Sequence, residues 1–217
     1  MVDPPALALP GHLVLPDGAS GIVVFVHGSG SSRRSPRNRY VASVLNAAGL
    51  GTLLFDLLTS DEEADRANVF DIDLLADRLV RVTTWLRAQR WADGLHIGWF
   101  GASTGAGAAL WAAADPDATV SAIVSRGGRP DLAGARLADV RAPTLLIVGG
   151  LDTVVLRLNR AAQARLRCPN DLAVVPGATH LFEEPGTLAA AASLARDWFT
   201  DHLRPTAHAH PSSRQAG

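Results

Sequence analysis

The feature that most restricts the fold is a regular alternation of two hydrophobic patterns along 217 residues. Short, nearly unbroken apolar runs recur at Ile22–Val26, Leu50–Phe55, Leu95–Phe100, Val120–Val124, Thr144–Val148 and Leu172–Val175. Runs of this length without polar alternation are predicted to be strands buried on both faces. Between them lie segments with helical spacing at residues 38–48, 72–90, 104–114, 154–166 and 186–203. The second of these places Ile72, Leu75, Leu79, Val82 and Leu86 on one stripe. Strand and helix in alternation require crossover connections, which predicts an α/β protein with a doubly wound, mostly parallel sheet and helices on both faces. His12–Leu15, and before it Ala6–Leu9, are expected to add an antiparallel edge.

Within this pattern one segment stands out. Residues 99–109 read WFGASTGAGAA, an aromatic pair followed by a serine among residues with almost no side chain. Gly101-Ala102-Ser103-Thr104-Gly105 matches G-x-S-x-G and lies between a predicted strand and a predicted helix. A strand-to-helix turn this tight holds the serine in strained backbone and lifts its hydroxyl above the sheet. Bulky neighbours would collide there, which explains the small residues. A Gly/Ser-rich turn without chemistry has the same composition, so the motif needs partners.

Partners are available downstream. A serine hydroxyl is a weak nucleophile at neutral pH unless a base takes its proton. His180 lies between the last predicted strand and the last helix, and Asp152 follows the strand at 144–148. Loops after parallel strands gather at one edge of a sheet, so Ser103, Asp152 and His180 are expected on one rim. Their chain order is Ser…Asp…His. Asp56 also ends a strand and is the rival acid, though it precedes the serine. The developing oxyanion needs donors. These are expected from the N–H of Thr104 and from Gly28 or, preferably, Ser29 in the His27-Gly28-Ser29-Gly30 loop. His27 is expected to brace that loop. A phosphate-cradling role for it is weak, because neither G-K-[ST] nor G-x-G-x-x-G is present.

Taken together, these elements resemble the α/β-hydrolases, in particular the dienelactone hydrolase-like group, over about residues 10–203. The likeness is carried by the serine elbow, by HGSGSSRRSPRN at 27–38, by FDLLT at 55–59 and by SRGGRPDLA at 125–133. The resemblance implies ester hydrolysis with no cofactor and no metal. Ser103 departs from the cysteine that true dienelactone hydrolases carry at the elbow, which argues against dienelactone as the substrate. Thioester or amide cleavage on the same residues is the alternative chemistry, and a non-catalytic binding module is the alternative class.

Composition narrows the remaining choices. All 20 basic residues are arginine, which excludes lysine-based chemistry such as a Schiff base or a Ser-Lys pair. Cys168 is the only cysteine, so neither an intrachain disulfide nor a cysteine metal cluster is expected. A net charge of −1 gives no reason to expect nucleic acid or an anionic membrane as partner. The N-terminus does not read as a signal peptide and no apolar run reaches ~18 residues, so a cytoplasmic location is expected. The expected partner is a small-molecule ester.

Arg126 and Arg33 are the candidate substrate-binding residues, each next to a predicted rim loop. The wider cluster Arg33, Arg34, Arg37 and Arg39 is expected to pair with Asp61, Glu62, Glu63 and Asp65. About twenty residues separate Val124 from Thr144, too few for a cap domain, and the acidic loop at 57–71 is the one lid-like segment. The expected organisation is an N-terminal extension at 1–10, one domain at 11–203 and a disordered tail at 204–217, whose His208 and His210 are read as solvated.

Overall fold

The computed structural model describes residues 8–204. Residues 1–7 of the expected extension at 1–10, and residues 205–217 of the expected tail at 204–217, lie outside them. Seven strands form one sheet: β1 (Gly11–Val14), β2 (Gly21–Val26), β3 (Gly51–Phe55), β4 (His96–Ala102), β5 (Ala122–Arg126), β6 (Thr144–Gly149) and β7 (Asn170–Val175). Their order is β1-β3-β2-β4-β5-β6-β7. Only β1 is antiparallel, pairing Gly11 to Phe55 and Val14 to Thr52 of β3. Ala8 and Leu9 are not in strand conformation, so among the described residues the edge is one strand; Ala6 and Leu7 of the expected segment lie outside them.

The long apolar runs are explained by packing on both faces. Ile22, Val24 and Val26 of β2 join a core with Leu75 and Leu79 of α4 (Ile72–Arg87) and Ala108 to Ala113 of α5 (Thr104–Ala113). Val23 and Phe25 point the other way, into a core with Val41 and Leu45 of α1 (Pro36–Ala47) and Phe199 of α7 (Thr187–His202). A period of two with both phases apolar is what a two-sided sheet requires. Trp99 is buried in the first core, where its indole N–H donates to Thr83 Oγ1 at 3.1 Å.

Two expectations shift in detail. The segment at 57–71 is not a loop: it folds as α2 (Ser60–Glu63) and α3 (Arg66–Phe70), with Thr59 and Glu62 forming a capping box. The strand expected at 120–124 runs instead from Ala122 to Arg126, because Ser125 and Arg126 pair with Gly101 and Ala102 on one side and Leu146 and Ile147 on the other. Arg126 therefore ends a strand and does not follow one. The connection from β5 to β6 is a 3₁₀ stretch at Pro130–Asp139, kinked at Gly134, with no cap domain.

From β2 the chain passes to β3 on one side, and the next strand, β4, pairs on the other side of β2. The carboxyl ends of β2 and β4 thus flank the point where the winding reverses, the place where open α/β sheets hold ligands.

Candidate active site

Ser103 sits between β4 and α5 with φ +50° and ψ −122°, a conformation that L-residues rarely adopt. Backbone bonds hold it there: its N–H donates to Arg126 O at 3.3 Å, and its carbonyl accepts from Arg129 N and from Ala106 N, each at 3.1 Å. The small neighbours are dictated by distance. A Cβ at Gly105 would lie 2.1 Å from Val26 O, and one at Gly101 would lie 2.4 Å from Ala106 Cα. The elbow closes only because neither exists.

Asp152 is the N-cap of α6 (Thr153–Gln163), and its Oδ1 accepts from Val155 N at 3.4 Å. Its Oδ2 lies 2.6 Å from His180 Nδ1. This bond fixes the proton on Nδ1 and leaves Nε2 as the acceptor. The loop carrying His180 is clamped from both ends: Leu151 N donates to Ala178 O at 2.9 Å, and Thr179 N donates to Glu184 Oε2 at 3.0 Å. Gly127, the residue after Arg126, faces the imidazole, since a Cβ there would be 3.6 Å from His180 Nδ1. Ser103 and His180 therefore border the same turn at the end of β5. No hydrogen bond within 3.5 Å joins them.

The loop after β2 packs directly on the elbow: a Cβ at Gly28 would lie 3.0 Å from Ser103 Cβ. Thr104 N–H, at the first position of α5, makes no hydrogen bond within the described residues. Ser29 N–H does, donating to Thr104 Oγ1 at 2.9 Å. Sequence gives no sign of this contact, which crosses 75 positions. His27 is a brace: Nε2 accepts from Leu57 N at 3.1 Å, and Nδ1 donates to Gly28 O at 3.0 Å. Burial pushes its imidazole below the usual histidine range, which suits a neutral ring with one acceptor nitrogen.

Asp56, the rival acid, is held by Arg33. Arg33 N donates to Asp56 Oδ1 at 2.7 Å, and the guanidinium pairs with Oδ2. The arginine cluster does not pair as expected with the acids at 61–65. Arg33 takes Asp56, Arg37 reaches Glu183 at 3.3 Å, and Glu62 is held by Arg78, because α2 and α3 turn the acidic segment toward α4. Cys168 lies near Thr144 at the amino end of β6, the opposite edge of the sheet from Ser103.

No profile of a known protein family matches the chain. A dienelactone hydrolase from Anabaena variabilis is 57% identical, with a TM-score of 0.89 over 92% of this chain and 94% of that one. The chain belongs to the dienelactone hydrolase-like group of the α/β-hydrolases. Est1E of Butyrivibrio proteoclasticus, at 14% identity and a TM-score of 0.79 over 93% of this chain and 97% of that one, shares the fold. Two Mycobacterium tuberculosis proteins provisionally named phosphoribosyl transferases are 67% identical over 193 residues, 89% of this chain. This chain spans 44% of their length. Among the described residues no helix is long and apolar enough to cross a membrane.

Proposed function

We propose that this chain is a serine hydrolase that cleaves a small carboxylic ester through an acyl-enzyme on Ser103. The observation that carries the reading is the 2.6 Å contact between His180 Nδ1 and Asp152 Oδ2, beside a serine held at φ +50°. His180 Nε2 takes the hydroxyl proton as Ser103 Oγ attacks the ester carbonyl. Asp152 keeps the ring in the required tautomer and balances the imidazolium. The oxyanion is met by Thr104 N–H, with a second donor from the loop at Gly28 and Ser29. For Ser29 this means releasing Thr104 Oγ1. His180 then gives its proton to the departing alcohol, and a water deprotonated by the same nitrogen hydrolyses the acyl-enzyme.

The preference for a small ester rests on space. The connection from β5 to β6 is a 3₁₀ stretch with no cap domain, an open arrangement that suits small or exposed acyl groups better than long buried chains. Thioesters and amides are the alternative substrates for the same residues. The transferase name of the longer mycobacterial proteins covers whole chains of which this one matches less than half, and the residues gathered here are suited to acyl transfer to water.

The test is covalent labelling. A fluorophosphonate adds one label, on the peptide bearing Ser103, and Ser103→Ala abolishes both the label and p-nitrophenyl acetate cleavage. A label that persists in Ser103→Ala would favour a non-catalytic binding module.

A further inference from the structure

The arginine cluster at 33–39 keeps two members without an acid partner. Arg33 pairs with Asp56 and Arg37 with Glu183, but no ion pair among the described residues includes Arg34 or Arg39. Arg33, Arg34 and Arg39 come together with His12 around a recess of about 170 Å³. These four basic residues line it, and no acid does.

Three parts of the chain build the recess. His12 stands opposite Leu54 in the β1–β3 ladder and so faces the side of the sheet that α1 covers. Arg33 is fixed twice to Asp56, just after β3, by its backbone N–H at 2.7 Å and by its guanidinium. Arg34 follows in a turn where Ser35 N donates to Ser32 O at 3.0 Å. Ser35 then caps α1, its Oγ accepting from Asn38 N at 3.3 Å. Arg39 comes next, on the exposed face of that helix. The recess lies away from the reacting serine. From β1, which carries His12, to β4, which leads into Ser103, there are three strand spacings, or about 14 Å.

We propose that this recess binds a doubly charged phosphate group, on a ligand separate from the ester at Ser103. Three guanidinium charges against the one carboxylate of Asp56 leave a surplus of two, which matches a phosphate dianion better than a single carboxylate. Arg34 and Arg39 can each offer two parallel N–H groups to phosphate oxygens while Arg33 stays on Asp56. Like charges gathered around one recess repel each other until an anion joins them. A recess of this size takes one tetrahedral group and not the length of a nucleic acid. The inference does not depend on the esterase reading.

The experiment reads phosphorus NMR line broadening of inorganic phosphate and of glycerol 3-phosphate in low salt at about pH 8, where the dianion predominates. The double variant Arg34→Gln, Arg39→Gln should bind phosphate about ten- to a hundredfold more weakly than wild type. Both residues are exposed, so the variant should keep the fold and the melting temperature of wild type. The double variant Arg160→Gln, Arg165→Gln removes the same charge near the end of α6 and should bind as wild type does. Cleavage of p-nitrophenyl acetate should be unchanged in both variants. Tighter binding of glycerol 3-phosphate than of phosphate would mark a phosphate ester as the ligand, and equal binding the free ion. Absence of binding by wild type overturns the proposal. So does binding that survives the loss of Arg34 and Arg39, which places the anion elsewhere. An equal loss in the α6 variant overturns it as well, because net charge alone would then set the affinity. A single-stranded oligonucleotide that binds while phosphate does not would make the patch a nucleic-acid surface, and the proposal would fail.

Discussion

The two banks of the crevice around Ser103 differ in how their polar groups are spent. On the bank formed by the ends of β2 and β3, both nitrogens of His27 are bonded, Arg33 is matched to Asp56, and the N–H of Ser29 is taken by Thr104. On the bank formed by the end of β5 and the loop after β7, Arg126 keeps two buried donors unpaired and Phe182 holds a positive φ. The satisfied bank is a finished scaffold whose groups answer one another. The unsatisfied bank carries cost and strain that the fold alone does not repay. Arg33 and Arg126 look alike as arginines beside rim loops, yet one is neutralised by its own protein and the other is not.

The comparison can be broken most decisively by exchanging the acids. Asp152→Asn should lower kcat/KM about 10⁴-fold while leaving the fold intact, because His180 loses the tautomer it needs. Asp56→Asn should leave turnover within about tenfold and act on stability, by about 1 kcal/mol in chemical denaturation. The reverse pattern would place the reacting machinery on the β2–β3 bank.

A smaller effect tests the elbow that joins the banks. Gly105→Ala puts a methyl group 2.1 Å from Val26 O, against backbone that cannot move aside, and should cost about 3 kcal/mol or more. Gly134→Ala is the contrast: it has a positive φ, which Gly105 lacks, but meets no atom within 4 Å, and should cost only about 1 kcal/mol. Equal losses in thermal unfolding would mean that contact between the banks is not what requires glycine at the elbow.

The smallest effect concerns His27. Its folded pKa is depressed by burial, so below about 6.5 the unfolded chain takes up a proton that the folded ring resists. Stability is therefore full above that pH and declines as the pH falls through it. His27→Gln keeps an acceptor for Leu57 N without the titration, and should flatten this part of the profile. An unchanged slope in denaturation from pH 7 to 5 would mean that the satisfied bank tolerates a charge.

The alternation of runs placed six of the seven strands to within a few residues, because burial on both faces leaves a pattern in the residues themselves. The exception in detail is β5, where Arg126 was expected beyond the strand. A charged residue reads as a loop when its cost in a buried strand is counted without its neighbours. The single edge strand β1 and the folding of 57–71 into two short helices follow from local packing that periodicity does not record.

By itself, the sequence determined the sheet, the small-residue turn that holds Ser103, and the chain order of Ser103, Asp152 and His180, since each depends on residue type and spacing along the chain. Only the tertiary structure decided that Arg33 answers Asp56, that Arg37 answers Glu183, and that Ser29 N–H meets Thr104 Oγ1. Those pairings cross 23, 146 and 75 positions. Whether a charge finds a partner depends on which side chains fold within a few ångströms of it, and nothing local to Arg126 shows that none does.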